Sequence, residues 1–227
     1  MKILMVADLH MDWDASDAIA AASQKVDFTF CGGDIGLRRN EDPENIVDYI
    51  YDTFKSEHTV LTPGNHDFWP VNLLRLYGSG DKGIRVAIDR PACVSYKNED
   101  FNVWFSPWST QFADWNWMLN YDEEWYFIPE YTDAVITHGP AYGILDECPN
   151  GDHAGSQKLL DAILDKDSIK YVFSGHIHGD DYAHVEEYGK HWYNISVLNE
   201  RYRFKWKLPV FDTKTGTMEY WTEKEWK

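Results

Sequence analysis

Eight side chains suited to binding a metal or moving a proton fall in five short loops, each following a run with strand character. They are Asp8, His10, Asp34, Asn65, His66, His138, His176 and His178. The densest loop is Gly64-Asn65-His66-Asp67, which sets an amide oxygen, an imidazole and a carboxylate on one turn. Mixed carboxylate, amide and imidazole donors suit borderline divalent ions such as Mn, Fe or Zn, whereas an all-oxygen set would favour Mg or Ca. Eight groups are enough for two ions and one acid–base residue. His176 and His178, two positions apart, are expected to face one site from an extended segment. Singly, each loop has a plainer explanation: Asp8 and His10 could be no more than a turn and a cap.

The scaffold these loops require can be read from the runs between them. Lys2–Ala7 is continuously apolar, as in a strand buried on both faces, and leads to Asp8 and His10. A helix capped by Asp14 or Ser16 should reach about Gln24, and Val26–Cys31 then runs through Gly32-Gly33 to Asp34. Asp42-Pro43-Glu44 marks a helix start with its end near Glu57, and Phe68–Tyr77 has the pattern of another helix. Ile84–Ile88 and a hairpin made of Ala92–Tyr96 and Phe101–Phe105 are expected in a second sheet. Asp133–Thr137 leads to His138, and Tyr171–Ser174 leads to His176 and His178. The long irregular stretch from Ala141 to Ala154 is of a kind that often carries function. A helix opening at Gly155 or Ser156 is expected to run to about Lys166. Hairpins turning at Gly189-Lys190 and Thr215-Gly216 complete the chain.

Bulk properties narrow the function. The 227 residues, 44% of them apolar, suit one α/β domain over 1–227 with a sizeable core. A net charge of −17 counts against duplex nucleic acid, because an acidic surface repels phosphate and forfeits counterion release. Cys31, Cys93 and Cys148 are odd in number and widely spaced, which fits a reducing compartment better than a disulfide framework. No signal-like or membrane-spanning run is present, so a cytoplasmic protein with no membrane partner is expected. The sequon Asn194-Ile195-Ser196 then reads as a chance match. Twelve of the 31 residues from Phe101 to Tyr131 are aromatic, a density usual for core, although Trp108 and Trp115 could wall a cleft and stack on a base. His58, His184 and His191 lack the strand-to-loop context and read as surface or hairpin residues.

The five blocks, in this order, resemble the calcineurin-like metallophosphoesterases. The stretch from Ser106-Pro107-Trp108 through Ile136–Asp146 to Gly175–His178 is similar to the metallophosphoesterase-domain-containing phosphodiesterase branch. The resemblance implies a four-layer α/β/β/α sandwich of two mixed β-sheets flanked by helices. It implies that Asp8, His10, Asp34 and His178 hold one metal, that Asp34, Asn65, His138 and His176 hold the other, and that His66 is the outer-sphere acid. Two ions about 3.5–4 Å apart, Mn foremost with Fe, Zn or Ni as alternatives, would lower a water's pKa to about 7, giving a hydroxide that attacks phosphorus. The branch implies a small phosphodiester as substrate, with cyclic nucleotides foremost. A nuclease, a phosphomonoesterase and a non-catalytic metal-dependent binding protein are the alternatives. Asp67 is expected to orient an imidazole, and His153 to touch substrate. After Asp34 the chain continues Ile-Gly-Leu-Arg, without the Asp-Arg pair of the protein-phosphatase branch, which counts against phosphoprotein hydrolysis.

Overall fold

The computed structural model describes residues 1–37, 42–56, 58–69, 83–120 and 126–227. Apolar runs become two six-stranded sheets lying face to face. The first has the order β14-β13-β1-β2-β3-β4, comprising β1 (Lys2–Val6), β2 (Phe28–Cys31), β3 (Thr59–Leu61), β4 (Ile84–Val86), β13 (Lys207–Asp212) and β14 (Thr217–Thr222). The second has the order β11-β12-β10-β9-β6-β5, with β5 (Arg90–Tyr96), β6 (Glu99–Ser106), β9 (Ala134–Thr137), β10 (Tyr171–Ser174), β11 (His184–Glu187) and β12 (Lys190–Asn194). A two-stranded ribbon, β7 (Ser109–Thr110) and β8 (Met118–Leu119), lies apart. In each large sheet four strands run parallel, and every antiparallel pairing involves β13, β14, β11 or β5.

The two-residue period of β1 explains the layering. Ile3 and Met5 point between the sheets and meet Phe30, Phe105, Ile136, Phe173 and Phe211. Leu4 and Val6 point outward against Ile19 of helix α1 (Trp13–Ser23) and Ile50 of helix α2 (Pro43–Thr53). On the far side, Val135 and Val172 pack under Leu160 and Ile163 of helix α3 (Gln157–Leu164). The result is the α/β/β/α sandwich of two mixed sheets. Ala7 bridges to Ser196 in parallel, so the ends of β1 and β12, one from each sheet, are tied together. The carboxyl ends of the parallel strands therefore gather at one edge, where ligands collect in open α/β sheets.

Several local expectations are corrected. Helix α1 is capped by Asp12, whose carboxylate accepts from the Ala15 amide at 2.8 Å, not by Asp14 or Ser16. Asp42 does cap α2, and Ser156 caps α3. Ile84–Val86 pairs with β3 in the first sheet, so only the following hairpin belongs to the second. The helix expected over Phe68–Tyr77 lies outside the described residues from Pro70 onward. No helix among the described residues is long and apolar enough to cross a membrane.

Candidate metal centre

Each of the five sequence blocks arrives at the shared edge of the sheets, and in three of them left-handed backbone aims a side chain. Asp8, His10, Asp34 and His176 all have positive φ, between 43° and 69°, a region costly for residues other than glycine. The turns are held by main-chain bonds: the amides of Leu9 and His10 both donate to the Asp34 carbonyl, at 2.8 and 3.0 Å. Two glycines make the approach possible. A Cβ on Gly64 would come within 2.4 Å of an Asp34 carboxylate oxygen, and one on Gly175 within 2.6 Å of an Asp8 oxygen.

The outcome is two adjoining donor triads, Asp8-His10-His178 and Asp34-His138-His176, with Asp34 also beside His10 and His66. His10 Nε2 lies 3.3 Å from His178 Nε2. The two oxygens of Asp34 face opposite ways, one 3.8 Å from His10 Nε2 and the other 3.4 Å from His138 Nε2. Asn65 Oδ1 lies 2.8 Å from His138 Nε2, adding an amide oxygen to the second triad. His176 and His178 do not share one direction as an extended segment would require. The left-handed turn at His176 sends its ring beside His138, while His178 goes to His10.

Ring orientation is fixed from behind. His138 Nδ1 donates to the Gly32 carbonyl at 3.0 Å, and His178 Nδ1 to the Asn199 carbonyl at 3.2 Å, so both Nε2 atoms face the centre. Burial pushes His10 and His176 down to about 4, so both rings are neutral at pH 7. Burial acts to raise Asp8 and Asp34, but hydrogen bonding and charge from His178 and from His138 hold both below the usual carboxylate range. Burial is outweighed by Asp34 at His138, which is raised to about 9, and by Asp8 at His178, which is raised as well, so a bound ion would take the place of a proton there. Anionic carboxylates and neutral imidazoles are the ligand forms of these groups. The buried Nδ1 of His10 has no hydrogen-bond partner. Deprotonated acids and ring nitrogens converging from several loops fit a pair of divalent ions.

Residues around the triads took roles the sequence did not disclose. His66 reaches the centre with Nδ1 donating to the Leu37 carbonyl at 3.1 Å, its ring stacked on Trp115 at 4.3 Å and edge-on to His10 at 4.7 Å. Asp67 orients no imidazole; it accepts from the amides of Gly36 and Gly64 and from Trp69 Nε1, tying together the loops after β2 and β3. Burial and the nearby Asp34 push the Asp67 carboxyl up to about 6. Ser196 donates to Asp8 at 2.5 Å and is wholly buried, and Asn194 is buried with its side-chain amide donating to the Ile177 carbonyl at 2.7 Å, so the sequon there is structural and closed to a glycan. A serine several residues beyond a hairpin turn carries no signal that could have linked it to Asp8.

The triads floor an open cleft of about 970 Å³. Its wall is made by Phe112, Tyr142, His153 and Tyr202, among others. Tyr202 packs 5.0 Å from His10 and 4.7 Å from His178, and Phe112 lies 5.7 Å from His176. Neither Trp108 nor Trp115 walls the cleft: Trp108 sends its indole N–H to Asp89 at 2.7 Å, and Trp115 backs His66. Trp104, Phe101 and Phe105 are core, so the aromatic stretch divides between core and cleft. His153 lies in the wall, its Nδ1 donating to the buried Asp146 at 2.7 Å.

Comparison with known proteins agrees with this geometry. The family model for calcineurin-like phosphoesterases matches residues 1–180. Metallophosphoesterase domain-containing protein 1 of Homo sapiens is 32% identical over 108 residues, 45% of this chain and 33% of its own length. The UPF0046 protein T07D4.2 of Caenorhabditis elegans is 28% identical over 114 residues, 48% of this chain and 28% of that protein. The aligned region thus spans about a third of these relatives. Among solved structures, TT1561 of Thermus thermophilus superposes with a TM-score of 0.64 at 10% identity, over 97% of this chain and 98% of that one. A structure described as a novel archaeal phosphodiesterase gives 0.51 at 13% identity, over 97% and 99%. With the fold, the five loops and the family model in agreement, the chain belongs to the calcineurin-like phosphoesterase family.

Proposed function

We propose that residues 1–227 form one catalytic domain that hydrolyses small phosphodiesters, with cyclic nucleotides as the substrate class, using two divalent ions of which Mn is the first choice. The observation that carries this reading is the pair of donor triads, each with two buried members and one half-buried histidine, joined through the two oxygens of Asp34 at the floor of an open cleft. Asp8, His10, Asp34 and His178 would hold one ion, and Asp34, Asn65, His138 and His176 the other. When bound, two such ions supply positive charge to phosphoryl oxygens and lower the pKa of water to about 7.

The chain's own residues do the rest. As the imidazolium, His66 would give its Nε2 proton to the departing ester oxygen while Nδ1–H stays on the Leu37 carbonyl and Trp115 stacks against the ring. Asp67 holds the loops that carry Asp34 and His66 at a fixed spacing. Phe112, Tyr142 and Tyr202 offer half-exposed rings on which a base can stack. Among the described residues lining the cleft there is no Lys or Arg, while Glu200 and Asp152 are present. Such a wall tolerates one phosphoryl group at the ions and disfavours a chain of phosphates. The relationship to a metallophosphoesterase-domain protein supports phosphoester hydrolysis, and the likeness of fold to a protein described as a phosphodiesterase supports the diester choice.

The test is product chromatography on 2′,3′- and 3′,5′-cyclic nucleotides, the corresponding nucleoside monophosphates and duplex DNA, with Mn and with chelator. The cyclic diesters are expected to turn over fastest, and chelator to abolish turnover. Faster release of phosphate from the monoesters would replace this reading with a monoesterase, and comparable degradation of DNA would replace it with a nuclease.

A further inference from the structure

The hairpin β11–β12 gathers a second set of donor side chains, away from the strand ends that build the cleft. Antiparallel pairing sets Glu186 opposite His191 and His184 opposite Tyr193, so by the two-residue period His184, Glu186 and His191 share one face. His191 Nδ1 lies 3.3 Å from His184 Nε2 and 3.4 Å from Glu186 Oε1. Donor atoms of all three fall within 4.8 Å of one another. Tyrosines hold the rings: His184 stacks on Tyr193 at 4.2 Å with 10° between planes, and His191 on Tyr171 at 5.6 Å and 21°. His191 pairs with Tyr171 at the start of β10, the end of that strand opposite to Gly175–His178.

We propose that His184, Glu186 and His191 form a separate site for one borderline divalent cation, such as Zn(II), Ni(II) or Cu(II), which staples the edge strand β11 to β12. Two imidazole nitrogens and one carboxylate oxygen are a donor set these ions accept, with water in the remaining position. Ligands at about 2.0–2.1 Å in a tetrahedron stand about 3.3–3.4 Å apart, which is the spacing of both close pairs here. The rings now lie nearly parallel, 14° apart with centroids at 5.5 Å, sharing a hydrogen bond. A cation takes the place of that proton, each ring turning against its tyrosine to aim at a common point. Edge strands often carry polar inward residues that block pairing with another chain, which accounts for polarity on β11 but not for three donors meeting at one nitrogen.

The test counts metal on the untagged 227-residue chain, loaded with Mn, equilibrated with low-micromolar Zn, gel-filtered and analysed by plasma mass spectrometry. Exchange of Mn for Zn within the cleft leaves the total unchanged, so the count reads the hairpin alone. Wild type is expected to carry one ion per chain more than His191→Ala or His184→Gln, with Glu186→Gln releasing its Zn at lower chelator concentration. All three positions lie on the surface hairpin, and circular dichroism of each variant verifies that it has folded. Equal totals in wild type and both histidine variants overturn the proposal, whatever the cleft itself holds.

Discussion

The floor and the wall of the cleft are built in opposite ways. On the floor, Asp8, His10, Asp34 and His138 are buried, tethered to strand ends and, for the first three, held in left-handed backbone by main-chain bonds. On the wall, Phe112, Tyr142 and Tyr202 are between 45% and 63% exposed and stand on loops. A rigid floor suits ions and a reacting phosphorus, which need donors fixed to fractions of an ångström; an exposed wall suits the variable part of a substrate. The contrast predicts that floor substitutions change turnover or metal content, and wall substitutions change substrate preference.

The largest effect is expected at Asp34. Asp34→Ala removes the carboxylate between the triads and should reduce phosphodiester turnover to the level of the chelated protein, in a steady-state assay across Mn concentrations. Next comes His66. His66→Gln should lower turnover by about 10²–10⁴-fold, with metal content unchanged and a greater loss for alkoxide than for nitrophenolate leaving groups. Equal losses on both leaving groups would remove its role as acid. Trp115→Ala tests whether stacking positions that ring, and a loss of about 10–100-fold in kcat with little change in KM is the expected result.

Wall effects should be smaller and fall on KM. Tyr142→Ala or Phe112→Ala is expected to weaken a cyclic nucleotide by about 1–3 kcal/mol if its base stacks there, while a small chromogenic diester without a base is unaffected. An equal loss on both substrates would break the division between floor and wall. The smallest effect concerns pH. Asp146 accepts from His153 Nδ1 and raises the pKa of that imidazole. A histidine raised on folding adds stability that is complete below its unfolded pKa and lost as pH rises through the folded one. The loop from Ala141 to Ser156 should therefore exchange its amide hydrogens faster at alkaline than at mildly acidic pH, after correction for intrinsic exchange. Asp146→Asn should bring His153 back toward the ordinary imidazole value by NMR titration.

The same contrast explains what the sequence disclosed. Floor residues were legible because a continuous apolar run followed by a ligand-type residue signals a strand end, and five such signals occur in one chain. Fixed spacing within Gly64–Asp67 and Gly175–His178 reinforced them. The wall was legible only in His153 and the loop that carries it: Phe112 and Tyr202 reach the cleft through other loops, and Trp108 and Trp115 differ from them in sequence by nothing that would reveal their partners, Asp89 and His66. Ser196 and Asp67 act through contacts 188 and 31 residues away, with Asp8 and Gly36. Non-local pairing also put Ile84–Val86 in the first sheet, since a three-residue strand holds no record of its neighbour. The cap of α1 moved by two residues because Asp12, Asp14 and Ser16 are all competent caps, and only the turn after His10 selects the first.

The account rests on one carboxylate serving two ions, and metal content of purified variants tests it most directly. Wild type, Asp34→Asn and Asn65→Ala are dialysed against the same buffered Mn and analysed for metal per chain. Two ions are predicted for wild type, loss from both positions for Asp34→Asn, and one retained ion for Asn65→Ala. Two tightly held ions in Asp34→Asn would contradict the shared floor.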